Sequence, residues 1–177
     1  MNMHLKRWSI IIILCLISIG LSLIDGFIPM PIPEIKLGLA NIIILIMLYE
    51  FKPYGVLIVD VVRVIVVAII RGTITTPILA LSIFGSLASF LIMLIFTSVK
   101  GFSVILVGVL GSVFQMAGEI VTLLVIADIK NAAVAIPILA GVSISLGLLF
   151  GILARIYLKS GIMSKFINVN RVEFKER

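Results

Sequence analysis

Ile35-Lys36-Leu37-Gly38-Leu39-Ala40-Asn41-Ile42-Ile43-Ile44-Leu45-Ile46-Met47-Leu48-Tyr49 is the stretch that decides the fold. If it crosses a bilayer, the chain crosses an even number of times and both ends lie on one side; if it does not, the ends part. As a helix of about 15 residues it reaches about 22 Å, against about 30 Å of hydrocarbon. That length suits a short, tilted or partly re-entrant element.

Around it, five longer apolar segments fall at 8–28, 53–71, 77–99, 102–126 and 132–158. Each approaches the roughly 20 residues that satisfy a backbone across a bilayer. Their connections are too short for a soluble domain. The expected architecture is an all-α integral membrane protein, with six transmembrane helices in one bundle over residues 1–159. A basic tail at 160–177 follows, in which Ile162, Met163, Phe166, Ile167, Val172 and Phe174 alternate with cations. Such a mixture fits the inner interface and its anionic lipid headgroups.

Positive charge sets the orientation. With the N-terminus inside, Lys6, Arg7, Lys52, Lys100, Arg155, Lys159, Lys165, Arg171, Lys175 and Arg177 are cytoplasmic, whereas Lys36, Arg71 and Lys130 are outside. Cytoplasmic excess is the usual bias, and it is lost if 35–49 is not a span. The reading is a multi-pass plasma-membrane protein with both termini cytoplasmic and external loops at 25–34 and 127–131.

Composition agrees. Of 177 residues, 62% are hydrophobic and 12% charged, against about 25% charged in soluble domains. The net charge of +6 sits at the ends of apolar segments and in the tail, which speaks for membrane orientation and against nucleic acid. The first segment resembles a secretory signal but lacks a small-x-small cleavage site, so an uncleaved helix is expected. A single cysteine, Cys15, and a single histidine, His4, offer neither a disulfide framework nor a metal cluster. There is no Gly-x-x-x-x-Gly-Lys phosphate loop, and Asp25, Asp60 and Asp128 are too scattered for the aspartate-rich clusters of prenyl diphosphate synthases. No catalytic residue, cofactor or metal is implied.

Polar groups inside apolar runs are the candidate site. Asp60 and Arg63 stand one helical turn apart in the 53–71 segment, and each costs about 2.5–3.5 kcal/mol to insert, so both should face the bundle. Either they form a structural ion pair, or Arg63 binds an anionic substrate that Asp60 orients. Gly108, Ser112, Gln115, Glu119 and Thr122 follow at helical spacing and make one polar stripe. Gln115 and Glu119 line a pocket, join a packing network or carry a proton; a cross-helix partner such as Arg63 or Arg71 would neutralise Glu119. In the first external loop Pro29, Pro31 and Pro33 stiffen an extended path. It is either a lid over an outward-facing pocket or a rigid connector. The cavity expected beneath it takes Pro31, Pro33, Asn41, Gln115 and Glu119, with Asp60 and Arg63 nearby.

The run from Ile35 to Asn41 after a proline-rich loop resembles the signature of the Gx transporter family, whose members often carry the label heptaprenyl diphosphate synthase component I. That family is similar to the substrate-capture (S) components of energy-coupling factor (ECF) transporters, small six-helix proteins. The resemblance implies capture of a small molecule from outside, with an ECF coupling subunit and two ATPase subunits as partners. In S components small residues on the first helix dock the coupling protein, which nominates Ser18 and Ser22 here. Small-residue spacings also occur at Ser82-x-x-x-Ser86, Gly85-x-x-x-Ser89 and Ser143-x-x-x-Gly147-x-x-x-Gly151, where packing within the bundle is expected. Two other classes stay open: a membrane subunit or anchor in prenyl diphosphate or quinone synthesis, and a scaffold of a membrane redox system. Lys36, Arg63 and Arg71 favour an anionic or polar-headed ligand; Asp60 and Glu119 offset them.

Overall fold

The computed structural model describes residues 3–28, 35–99, 101–127 and 132–161. Among these lie six helices and no strand: α1 (Met3–Asp25), α2 (Asn41–Glu50), α3 (Pro53–Ile70), α4 (Pro77–Ser98), α5 (Val104–Ala127) and α6 (Ala132–Ser160). Five are long and apolar enough to cross a bilayer, and the chain is a multi-pass membrane protein. Pro31, Pro33 and the tail from 162 onward lie outside the described residues.

Local signals explain where the helices start. Pro53 and Pro77 open α3 and α4 after extended residues Lys52 and Thr76, the position where a missing N–H costs nothing. The second segment differs from its expected course. Helix begins at Asn41, not Ile35, and α2 has 10 residues, or about 15 Å. Gly38 is the reason: its φ of 78° is left-handed, which breaks a right-handed helix.

α2 is nevertheless the centre of the bundle, touching each of the other five helices. Ile44, Leu45 and Met47 are at most 1% exposed. A helix apolar on all sides belongs in such a place. In lipid its burial is stabilised by close packing, because acyl chains are as apolar as the core.

Glycines make that packing tight between α4, α5 and α6. A Cβ added at Gly147 would lie 2.6 Å from Val109 Cα, and one at Gly151 2.6 Å from Ile105 Cα. On the other side of α5, a Cβ at Gly118 would lie 2.9 Å from the Phe84 carbonyl oxygen. These small residues thus pack within the bundle, leaving no room for even a methyl group without backbone shifts.

α1 is peripheral. It packs mainly on α3 and leaves Trp8, Ile12, Ile13, Leu16, Ile17 and Ile24 exposed. Gly26, just past its end, lies against Arg71, just past the end of α3: a Cβ there would overlap the guanidinium. The two helices therefore run parallel and end together. The chain between Gly26 and Pro53 must return to the far end, and α2 supplies only part of that return. Residues 35–40 precede it as non-helical backbone, folded around the end of α1.

Candidate functional site

Non-helical backbone inside a membrane bundle leaves amides that water does not reach, and each must find a partner. Here two carboxylates take four consecutive amides. Asp25 Oδ1 accepts the Leu37 N–H at 2.9 Å, and its Oδ2 accepts those of Gly38 at 2.8 Å and Leu39 at 3.3 Å. Glu119 Oε2 accepts the Lys36 N–H at 2.9 Å, while its Oε1 accepts from Gln115 Nε2 at 2.9 Å. Asp25 closes α1, where the helix dipole disfavours an anion. Charge-assisted bonds from the amides offset that.

The segment is also pinned from α2. Asn41 Nδ2 donates to Ser89 Oγ at 2.9 Å and to Gln115 Oε1. Gly38 fits under Gln115 because it has no side chain; a Cβ there would lie 2.2 Å from Gln115 Oε1. The Lys36 side chain reaches inward, its Nζ donating to Ser82 Oγ at 2.6 Å, and that hydroxyl donates to the Ile78 carbonyl at 2.9 Å.

Arg63 forms the other wall. It pairs with Asp60 Oδ1, and its Nη1 donates to Ser22 Oγ at 3.1 Å. Arg63 Nε and Asp60 Oδ2 are buried without a hydrogen-bond partner. Between these groups lies a cavity of about 20 Å³ lined by Asp25, Lys36, Arg63 and Glu119, by Ser22, Ser82, Ser86 and Gln115, and on one side by Val64 and Val67. That volume holds about one water.

The structure gathers most of the expected residues. Arg63, Gln115 and Glu119 line the cavity, Asn41 holds Gln115, and Asp60 stands behind Arg63 without lining it. Glu119 is held by the Lys36 amide and Gln115 instead of by Arg63 or Arg71. The stripe on α5 divides: Gly108 packs on α6, Ser112 Oγ is buried and unpartnered, and Thr122 Oγ1 donates back to the Gly118 carbonyl at 2.7 Å. Ser18 and Ser22 are buried against the interior, and Ser22 belongs to the cavity. The open face of α1 is its aliphatic one. Asp25, Ser82 and Ser86 were missed. For Asp25 a signal existed: a carboxylate in the last turn of a helix opposes the dipole and needs donors from elsewhere.

A family model described as heptaprenyl diphosphate synthase component I matches residues 14–157. The chain belongs to the heptaprenyl diphosphate synthase component I family. The match to this component I family runs from within α1 to near the end of α6 and takes in every residue that lines the cavity. No curated protein and no solved structure matches the chain.

Proposed function

We propose that this component I family member is a substrate-capture subunit that takes a small molecule from the outer side of the plasma membrane into the cavity beneath residues 35–40. One observation carries the reading: that segment is held over a polar chamber by side chains of α1 and α5, not by helix hydrogen bonds of its own. Releasing its first half breaks these polar contacts and draws Ile35 from its packing against Leu81, Met116, Leu123 and Leu139, while the long helices keep their own hydrogen bonds. A removable cover over a small polar cavity that widens as the cover lifts serves ligand entry; an anchor or scaffold needs neither. In this reading the chain crosses six times, counting 35–50 as one crossing, with both termini cytoplasmic and the chamber in the outer half. Transport across the membrane then needs an energised partner, for which an ECF-type coupling subunit and two ATPases are the resemblance's suggestion.

The family's name favours a second reading, in which the chain is the membrane component of a prenyl diphosphate synthase beside a soluble catalytic chain. Native mass spectrometry of the detergent-purified protein separates the two. Co-purifying ATPase subunits or a retained small molecule support capture. A co-purifying prenyltransferase, with no retained small molecule, overturns it in favour of the synthase.

A further inference from the structure

The unspent hydrogen bonds of the cavity define the chemistry of its occupant. Each of its carboxylate and amide acceptor oxygens already holds at least one N–H: both oxygens of Asp25 and both of Glu119 hold backbone or amide groups, and Gln115 Oε1 holds Asn41. Its donors are not all so engaged. Arg63, 4% exposed, lines the cavity with its Nε unpartnered. Lys36 carries three ammonium donors, and among the described residues one goes to Ser82. Ser22 accepts from Arg63, so its own hydroxyl proton is free to be given.

From this imbalance we infer that the cavity binds an oxyanionic head group, a carboxylate or phosphate, between the Lys36 ammonium and the Arg63 guanidinium, with Ser22 as a third donor. The inference rests on the capture reading and names its ligand class. A cation would meet carboxylates whose charge is already shared with the amides of 36–39, whereas an anion meets donors that have no partner. The residual space of about 20 Å³ is too small for a whole metabolite. The head group therefore enters as residues 35–37 lift and Lys36 swings with them, and Val64 and Val67 receive the apolar part that follows.

The full chain, purified in a nonionic detergent free of phospholipid, is melted at constant ionic strength with inorganic phosphate, inorganic diphosphate, acetate or tetramethylammonium. At least one oxyanion should stabilise it saturably and tetramethylammonium should not; which oxyanion acts best separates a phosphate from a carboxylate ligand. Lys36→Met should weaken that oxyanion's apparent affinity about 10- to 100-fold, the weight of one charge-assisted bond, and Lys36→Arg should restore most of it. Because Arg63 alone is a folding risk, its arm is the double variant Asp60→Leu with Arg63→Leu, which should also lose the oxyanion response. Stabilisation by tetramethylammonium alone, by no oxyanion, or equally in Lys36→Met overturns the inference. A neutral or cationic molecule, or co-purifying ATPase subunits, then found by native mass spectrometry leaves capture standing, and an empty protein that carries a prenyltransferase removes both.

Discussion

The Asp25 carboxylate accepts the Gly38 backbone N–H at 2.8 Å across thirteen residues of chain. This bond joins the end of the first helix to the non-helical segment that leads into α2, and its neighbours to Leu37 and Leu39 make it a three-amide grip. The grip positions Lys36 over the cavity. The only helix amides that lean on the segment are those of the first turn of α2, where Asn41 donates to the Gly38 carbonyl and Ile43 and Ile44 to that of Ala40, so residues 35–37 can lift while the helices among the described residues keep their own ladders.

Asp25→Asn should loosen the cover selectively. The amide side chain has one acceptor oxygen where the carboxylate has two, and its NH₂ faces backbone donors. A loss of about 1–3 kcal/mol is expected from the abandoned donors. Hydrogen exchange should accelerate at the amides of 37–39 while α4 and α5 keep their protection. Unchanged exchange at 37–39 would mean that Asp25 does not hold the segment.

Gly38→Ala should cost more than an ordinary glycine substitution. It places a side chain in left-handed backbone, about 1–2 kcal/mol for an L-residue, and drives its Cβ into Gln115. Gly20→Ala is the control: outside its own stretch of helix backbone nothing lies within 4 Å of its Cβ, and alanine gains about 0.8–1 kcal/mol in a helix. The melting temperatures of the two variants should move in opposite directions.

How much of this was legible in the sequence depends on where each signal lay. The five long helices announce themselves as apolar runs, and the 4-3-4-3 spacing of Gly108, Ser112, Gln115, Glu119 and Thr122 marks one face of α5. Ile35, Leu37 and Leu39 continue the apolar character of α2 and so suggest helix from Ile35; the signal against it is Gly38, whose left-handed φ of 78° interrupts the run. The partner of Glu119 was not legible. A backbone amide carries no residue type, so no charge-matching argument finds the Lys36 N–H, and cations such as Arg63 and Arg71 draw the eye instead. Ser18 and Ser22 fit a docking motif by spacing, but spacing does not say which side of α1 faces the bundle. Arg63, seated next to Ser22, answers that.

The Asp60–Arg63 pair should behave as a buried ion pair. Arg63→Leu leaves an uncompensated carboxylate and should destabilise by about 3–5 kcal/mol, whereas Asp60→Leu combined with Arg63→Leu should recover most of the loss. A double-mutant cycle on the melting free energy measures this. Additive losses would show that the two side chains act apart.

Reporter fusions should give cytoplasmic signals after Lys52, Ser98 and Ser160, and external accessibility for a cysteine placed at Thr73 in a Cys15→Ser background. The expectation follows from the parallel ends of α1 and α3 and the cytoplasmic excess of Lys and Arg. An external signal after Ser160 would remove the crossing at 35–50 and with it the outward-facing chamber.

Glu119→Gln separates a binding role from a packing role. The side chain is 1% exposed and both oxygens accept hydrogen bonds, one from the Lys36 amide and one from Gln115. Glutamine keeps the shape and one acceptor oxygen, so the Lys36 amide can still be held. What it removes is a negative charge beside the Lys36 ammonium, along with one contact to Gln115, whose NH₂ now meets another NH₂ unless one amide turns over. If Glu119 serves to balance Lys36 until a ligand arrives, the neutral variant leaves the ammonium with less internal competition. It should bind oxyanions more tightly, by about 10- to 100-fold for the loss of one charge on the same small cavity at effective dielectric near 20, and melt within about 2 kcal/mol of the parent. If Glu119 is a packing element, the melting temperature falls steeply and any oxyanion affinity that remains is unchanged. Parallel melting and binding titrations on the same preparation decide between them.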